Sequence, residues 1–414
     1  MNRPCRRHDA PVFAVMALAG AIALLSGCTD GYPDDLVYPV RSDPLVTQMP
    51  TLEMSKPDRP GQLPLLQFQE LLDPLNPLQA IKEEEKKNIL DPMRLSPEDR
   101  RQLAAVLDRW FGTPASPVVR AADEEQLAII SDLRLDRETL EEGSRVYRQH
   151  CLHCHGLTGD GRGPTARWVN PHPRDYRQGI FKFTSVDIDP GERKPRREDL
   201  YRVIHQGIDG TSMPAFNLLT EAEKQALVSY VIHLSLRGEC EFDVIKTRLT
   251  TEEAEPIDEM VAVRLRVFLE RWHKSQDPKV LITPGNPYPY TNEEMKASVK
   301  RGEAIFKAQK PGEVGCAACH LNFGRQSTYR FDAWGTVLRP TDLTRGIYRG
   351  GRRPIDLYWR IYAGINGSGM APFKTLAQSA SKDNPKSDQI WDVVNFLFAL
   401  PYPAMRQAYD LKID

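Results

Sequence analysis

The sequence predicts a mainly α-helical protein, in which two helical domains of one kind are joined by a helical, proline-rich connector. Three observations predict it. Five blocks of residues recur in the same order in the second half of the chain, and each copy closes with an apolar helical segment. The 33 prolines and 27 glycines call for long irregular connections rather than a tightly wound α/β sheet. At 414 residues the chain is too long for one ordinary core, and 41% apolar residues supply globular cores without surplus. A net charge of −1 gives no footing for a nucleic-acid partner or a polybasic membrane surface.

Residues 1–27 have the layout of an export signal. Arg3, Arg6 and Arg7 form a positive start, and the apolar stretch Val12 to Leu25 is too short for a convincing bilayer span. Leu25-Ser26-Gly27-Cys28 resembles the lipobox of bacterial lipoproteins, which implies cleavage before Cys28 and attachment of lipid to it. With about 0.8 kcal/mol per buried methylene, two or more acyl chains anchor a protein stably. The alternatives are an uncleaved anchor, or an ordinary signal with Cys28 incidental. The expected setting is a periplasm-facing, membrane-anchored protein of a bacterium. No other segment is long and apolar enough to cross a bilayer.

Residues 28–120 begin as a proline-rich tether with Pro33, Pro39, Pro44, Pro50, Pro57 and Pro60, and contain no histidine. They end in a predicted helix. Ser96 caps it, Pro97 suits its first position, and Gly112 stops it. Leu103, Val106, Leu107, Trp110 and Phe111 fall on one face. This arm is expected to pack on a domain or to reach from the membrane, and it carries no chemistry of its own.

The repeat sets the remaining boundaries at 121–240 and 290–414. Gly143-x-x-x-Tyr147 is matched by Gly302-x-x-x-Phe306, and Pro173-x-Asp175-Tyr176-x-x-Gly179-Ile180 by Pro340-x-Asp342-Leu343-x-x-Gly346-Ile347. Asp199-Leu200-Tyr201 is matched by Asp356-Leu357-Tyr358, and the glycine-rich run Gly207 to Met213 by Gly364 to Met370. The closing helices hold Ala226 to Ile232 and Ile390 to Leu397. Between the copies, residues 241–289 contain a helix opened by Pro256, with Met260, Val261, Leu265, Phe268 and Trp272 along it. Pro278, Pro284, Pro287 and Pro289 follow.

Four of the seven cysteines lie in Cys151-Leu-His-Cys154-His155 and Cys316-Ala-Ala-Cys319-His320. Cys-x-x-Cys-His is the attachment pattern of haem c: two thiols two residues apart reach the two vinyl groups of one porphyrin edge, and the next residue meets the iron. A redox dithiol or half a zinc site is the alternative, but zinc needs two further ligands and no other cysteine pair exists for either copy. Cys240 reads as a buried, inert thiol. A sixth iron ligand must come from elsewhere in each copy. Met213 and Met370 end the same glycine-rich block, where the backbone can approach a flat ring closely. His172 and His205 are rivals in the first copy only; they read better as surface or supporting histidines. Trp168 and Trp334, at similar offsets after their histidines, could donate to haem propionates or simply pack. Arg174, Arg177, Arg330, Arg339 and Arg345 could balance propionate charge, with a solvated face the plainer role.

On these motifs each copy resembles a class I cytochrome c domain, over about 240 of the 414 residues. The resemblance implies that Gly143 and Gly302 cross the helices bearing Tyr230 and Phe396. It also implies a backbone carbonyl that holds the proximal histidine, supplied in the first copy by Gly163-Pro164; the second copy has no Gly-Pro after His320. Two covalent haem c groups are expected, attached at Cys151, Cys154, Cys316 and Cys319. His155, Met213, His320 and Met370 are the expected axial iron ligands. With both axial positions filled, the expected function is single-electron transfer in a periplasmic respiratory chain between membrane-bound partners, rather than catalysis. The alternatives are a two-haem peroxidase, a fixed haem c subunit of a quinol-oxidising or terminal oxidase complex and, more weakly, a haem-based ligand sensor.

Overall fold

The computed structural model describes residues 32–51, 81–252, 255–285, 290–308, 315–327, 329–377 and 388–413. The signal segment, Cys28, Pro57, Pro60, Pro287 and Pro289 lie outside the described residues. The order of helices is α1 (Pro97–Phe111), α2 (Glu124–Asp132), α3 (Arg137–His150), α4 (Leu152–His155), α5 (Arg197–Gln206), α6 (Glu221–Thr250), α7 (Ile257–Lys274), α8 (Asn292–Lys307), α9 (Cys316–Cys319), α10 (Pro354–Ala363), α11 (Gln389–Ala399) and α12 (Pro403–Ala408). Two short antiparallel ribbons pair β1 (Leu45–Val46) with β2 (Ile89–Leu90), and β3 (Arg330–Phe331) with β4 (Val337–Leu338). The protein is mainly α, as the sequence predicts. Among the described residues no helix is long and apolar enough to cross a membrane.

Local chemistry sets the helix ends. The Ser96 hydroxyl accepts from the Asp99 amide at 3.0 Å, Pro97 opens α1, and Gly112 ends it at φ 70°. Capping boxes start α6 (Thr220 and Glu223) and α8 (Thr291 and Glu294). In α5 and α10 the third helical residue, Asp199 or Asp356, accepts from the main chain of Arg196 or Arg353 at 3.1 Å. The two copies therefore share their starts as well as their sequence blocks.

Each half is organised on one close helix crossing. A Cβ built on Gly143 of α3 would overlap the carbonyl of Ala226 and lie 2.8 Å from the Tyr230 side chain on α6. One built on Gly302 of α8 would overlap the carbonyl of Asp392 and lie 2.8 Å from Phe396 on α11. Bare glycine backbone lets the axes approach, and an aromatic pair fills the next layer. Tyr147 meets Tyr230 edge-on at 5.2 Å, and Phe306 meets Phe396 at 5.5 Å. Around these crossings the buried apolar residues divide into two clusters, one from Tyr38 to Trp272 and one from Ile282 to Leu411.

The arm and the connector belong to the first cluster. Residues 32–51 do not hang as a free tether. Tyr38 shares a 2.8 Å hydrogen bond with Tyr230, the Arg41 amide donates to Glu241 at 2.9 Å, and Asp43 takes a two-pronged bond from buried Arg177 at 2.8 and 2.9 Å. Helix α6 runs unbroken through the junction expected at residue 240; Gly238 lies within it, where a Cβ would overlap Arg177. Helix α7 buries Met260, Val261, Leu265, Phe268 and Trp272 and packs on α1, α2 and α6. Cys240 is fully buried, and burial pushes its thiol well above the usual range, as suits an inert core residue.

Replacing Gly143 or Gly302 by valine forces the crossing helices apart. We expect a loss of about 2 kcal/mol or more, the scale of core overpacking, in denaturant unfolding of the holoprotein. Buried His233, whose Nε2 bonds the Phe111 carbonyl at 2.9 Å, supplies a pH signature. Burial lowers its pKa from 6.5 to about 4. Between those values the unfolded chain takes up a proton that the folded chain refuses, so stability falls as pH drops from 6.5 to 4, by about 3 kcal/mol in all. We expect the His233→Leu variant to show a flatter stability–pH curve across that window.

Candidate haem c sites

The attachment turn is built the same way twice. Helix α3 ends at His150, the Cys151 amide bonds the Tyr147 carbonyl at 2.8 Å, and the one-turn helix α4 carries Cys154 and His155. In the second half α9 spans Cys316–Cys319, and the His320 amide closes the turn on the Cys316 carbonyl at 2.9 Å. Residues three apart on a helical turn share a face, so each pair of thiols points the same way. All four cysteines are partly exposed and none is in a disulfide. Burial within the surrounding protein pushes Cys151 up to about 12 and Cys316 up to about 11, so neither is a poised thiolate of a redox dithiol. Among the described residues no group of three or more His, Cys, Asp or Glu is placed to hold a metal ion, so the zinc alternative finds no further ligands.

The histidines are held by the main chain. His155 Nδ1 donates to the Arg174 carbonyl at 3.1 Å, and His320 Nδ1 donates to the Thr341 carbonyl at 3.3 Å. A proton kept on Nδ1 leaves Nε2 with its lone pair free. Burial lowers the His155 pKa to about 4 and moves His320 the same way, which keeps both rings neutral. Tyr176 stacks on His155 at 4.9 Å.

This corrects the expectation that Gly163-Pro164 supplies the first carbonyl. Gly163 instead braces the attachment turn. Its amide bonds the Cys154 carbonyl at 3.1 Å, and a Cβ there would overlap the carbonyls of Leu152 and His153. The holding carbonyl belongs to the unassigned residue of the repeated Pro-x-Asp block, Arg174 in one copy and Thr341 in the other. The aspartate after it folds the turn. Asp175 accepts from the Arg177 amide at 2.9 Å, and Asp342 from the Thr344 amide at 3.0 Å. The absence of Gly-Pro in the second copy therefore leaves its histidine held in the same way. The repeat contained this signal.

The methionine loops are closed by the same bonds. In the first, Ile208 N–H donates to the Met213 carbonyl (3.1 Å), the Thr211 hydroxyl to the Ile208 carbonyl (2.7 Å), and Met213 N–H to the Thr211 hydroxyl (3.1 Å). In the second, Ile365, Ser368 and Met370 make the equivalent bonds at 3.1, 2.8 and 3.3 Å. Gly207 and Gly364, at φ 70° and 71°, let each loop turn where a Cβ would meet backbone at 2.5 to 2.6 Å. Both methionines are partly exposed. Phe216, three residues past Met213, lies 6.0 Å from the His150 ring beside the attachment turn. In the second half Arg330 joins the same two parts: it donates to Cys319 Sγ at 3.4 Å and reaches within 3.6 Å of a Cβ position at Gly369.

The other candidates separate. His205 stacks on Tyr201 at 5.6 Å and pairs with Lys224 at 3.2 Å; His172 is partly buried, with Nδ1 unpartnered. Trp168 is 78% exposed under Arg167, whereas Trp334 donates to the Asp175 carbonyl at 3.0 Å, so the two tryptophans are not equivalent. Arg177 is buried between Asp43 and Asp175 and Arg174 faces Asp332 at 3.7 Å, which corrects the solvated role expected of both.

Two thiols on one turn, a neutral imidazole with Nε2 free and a glycine-built loop ending in a thioether are a donor set that fits haem c. The fold and this set support a c-type cytochrome, whose domain implies covalently bound haem c. Residues 138–231, from the start of α3 into α6, match the family described as cytochrome c oxidase, cbb3-type, subunit III. That stretch, under a quarter of the chain, contains the first attachment turn, Met213 and both residues of the first crossing. No curated protein sequence matches the chain. Among solved structures, it is similar to a chain of the Kuenenia stuttgartiensis reducing HAO-like protein complex, at 24% identity and a TM-score of 0.45, over 63% of this chain and 96% of that one.

Alanine at Gly207 or Gly364 must adopt positive φ against neighbouring backbone. We expect each substitution to cost more than about 1 kcal/mol, and by similar amounts, in thermal or denaturant unfolding of the holoprotein. Unequal losses would show that the two loops are not built alike.

Proposed function

We propose that the chain is an exported di-haem c-type cytochrome, anchored through lipid on Cys28, that passes single electrons between a membrane-bound donor and an acceptor of a respiratory chain. The observation that carries this reading is the duplicated bond pattern: two attachment turns, two histidines held by equivalent carbonyls and two methionine loops closed by the same bonds. Cys151 and Cys154 hold one haem; Cys316 and Cys319 hold the other. Haem c supplies a reversible one-electron couple. His155 with Met213, and His320 with Met370, would hold the two irons, and iron held by both donors would have no open site for peroxide or nitrite. A thioether favours the reduced state and raises the potential relative to a second imidazole.

A second reading has support of its own. The match of residues 138–231 to an oxidase subunit favours a fixed electron-entry subunit of a larger assembly. The described part of the arm and α7 pack on the first half, yet leave Val37, Met49, Met93 and Val263 exposed. Co-purification with membrane proteins in mild detergent supports this reading; release as a free monomer supports the mobile carrier.

A pyridine haemochrome assay with peptide mass spectrometry tests the proposal. Two haems per chain are expected, with thioether-modified peptides containing Cys151, Cys154, Cys316 and Cys319; colourless mature protein overturns it. Met213→Ala and Met370→Ala should each convert one haem from low to high spin and admit carbon monoxide in the reduced state, with the other haem unchanged. High-spin iron in the unaltered protein would favour the peroxidase alternative.

A further inference from the structure

Trp334 lies where the two halves meet and touches the holding segment of one site and the methionine loop of the other. Its Nε1–H donates to the Asp175 carbonyl at 3.0 Å, one peptide beyond the Arg174 carbonyl that takes the His155 Nδ1 proton. Its six-membered ring fills the space above Gly367, where a Cβ would lie 2.7 Å from Cζ3 and Cη2. Gly367 is three residues before Met370, and its carbonyl accepts from the Ala333 amide at 2.8 Å. From His155 to the Met370 loop there are therefore two hydrogen bonds, one peptide unit and one indole in van der Waals contact.

The indole has charged groups packed on its face. The Arg174 guanidinium lies 3.5 Å from the ring centroid and the Lys182 ammonium 5.4 Å from it. Both cations face buried Asp332, at 3.7 and 3.2 Å, and Asp332 also accepts from the Trp334 amide at 3.1 Å. Two cations over the ring stabilise the neutral indole through its quadrupole and oppose removal of an electron from it. The similarly spaced residue of the first copy, Trp168, is exposed and takes no such position.

We propose that Trp334 is the electronic bridge between the two iron sites, an inference that rests on the two-haem reading above. One electron leaves one iron and one electron arrives at the other. No bond is made or broken and no proton moves. Trp334 stays neutral and closed-shell throughout, because its two cations make oxidised indole costly. It is a positioning and coupling residue rather than a catalytic one.

The experiment compares the intact, fully loaded protein with its Trp334→Leu and Trp334→Phe variants after rapid one-electron photoreduction. Leucine removes the ring; phenylalanine keeps a ring but loses Nε1–H, and carries the test should the leucine variant fail to fold. The expected result is loss of the concentration-independent electron-transfer phase in Trp334→Leu and a slower phase in Trp334→Phe, with haem spectra and midpoint potentials unchanged. A second readout is the indole Nε1–H proton resonance, identified by its absence in Trp334→Phe. It should exchange slowly with solvent and shift when the first iron is oxidised. An unchanged intramolecular rate in variants that retain two low-spin haems overturns the bridge, as does a fast-exchanging indole proton. A haemochrome count of one haem per chain overturns the two-haem reading itself, which is a different failure.

Discussion

The hydrogen bond from each histidine Nδ1 to a main-chain carbonyl is the interaction on which the two sites depend. It joins the attachment turn to a segment about twenty residues further on, and it decides which ring nitrogen keeps its proton. A neutral imidazole with Nε2 bare is the form that can ligate iron from this position, and burial alone would not choose between the tautomers. The carbonyl must stay in place whether or not its neighbours change. It does so because an aspartate side chain folds the turn after it, Asp175 in one half and Asp342 in the other. Backbone, unlike a side chain, survives a change of residue, which explains how Arg174 and Thr341 serve the same purpose.

That constraint propagates outward. The holding segment of the first half is fixed at its far end by Arg177, buried between Asp175 and Asp43 of the arm. A bidentate, desolvated ion pair of this kind is strong only while complete, since losing one partner strands a buried charge. The arm is thus part of the support for the first histidine. The arm meets the second half differently, through Met49, whose Cε lies 3.5 Å from a Cβ position at Gly369, and His320 is less buried than His155. The same donor residues thus recur in two different surroundings, and under the two-haem proposal the two centres would differ in potential.

The parts of this arrangement carried by local chemistry were legible in the sequence. Ser96, Pro97 and Gly112 mark the ends of α1, and the glycine-to-aromatic pairs of both crossings are what the resemblance to class I cytochrome c domains implies. The attachment turns were readable from spacing alone. What escaped was what depends on tertiary contact. A carbonyl has no residue signature, so Gly163-Pro164 is the expected source by resemblance, although the repeat holds the better clue in its Pro-x-Asp block. The prolines of residues 32–51 suggested a loose tether, but hydrogen bonds from Tyr38, Arg41 and Asp43 to distant residues override composition. Trp168 and Trp334 looked equivalent by offset; only the contact between halves separates them. Charge near the site misled for the same reason, because arginine burial follows from partners far along the chain.

The most direct test of two imidazole–thioether sites is the proton NMR spectrum of the fully reduced protein. A methionine methyl held over a porphyrin face experiences a large ring-current shift to high field. The account predicts two such methyl resonances, one lost in Met213→Ala and the other in Met370→Ala. A spectrum with one resonance or none, in protein carrying two haems, would contradict it.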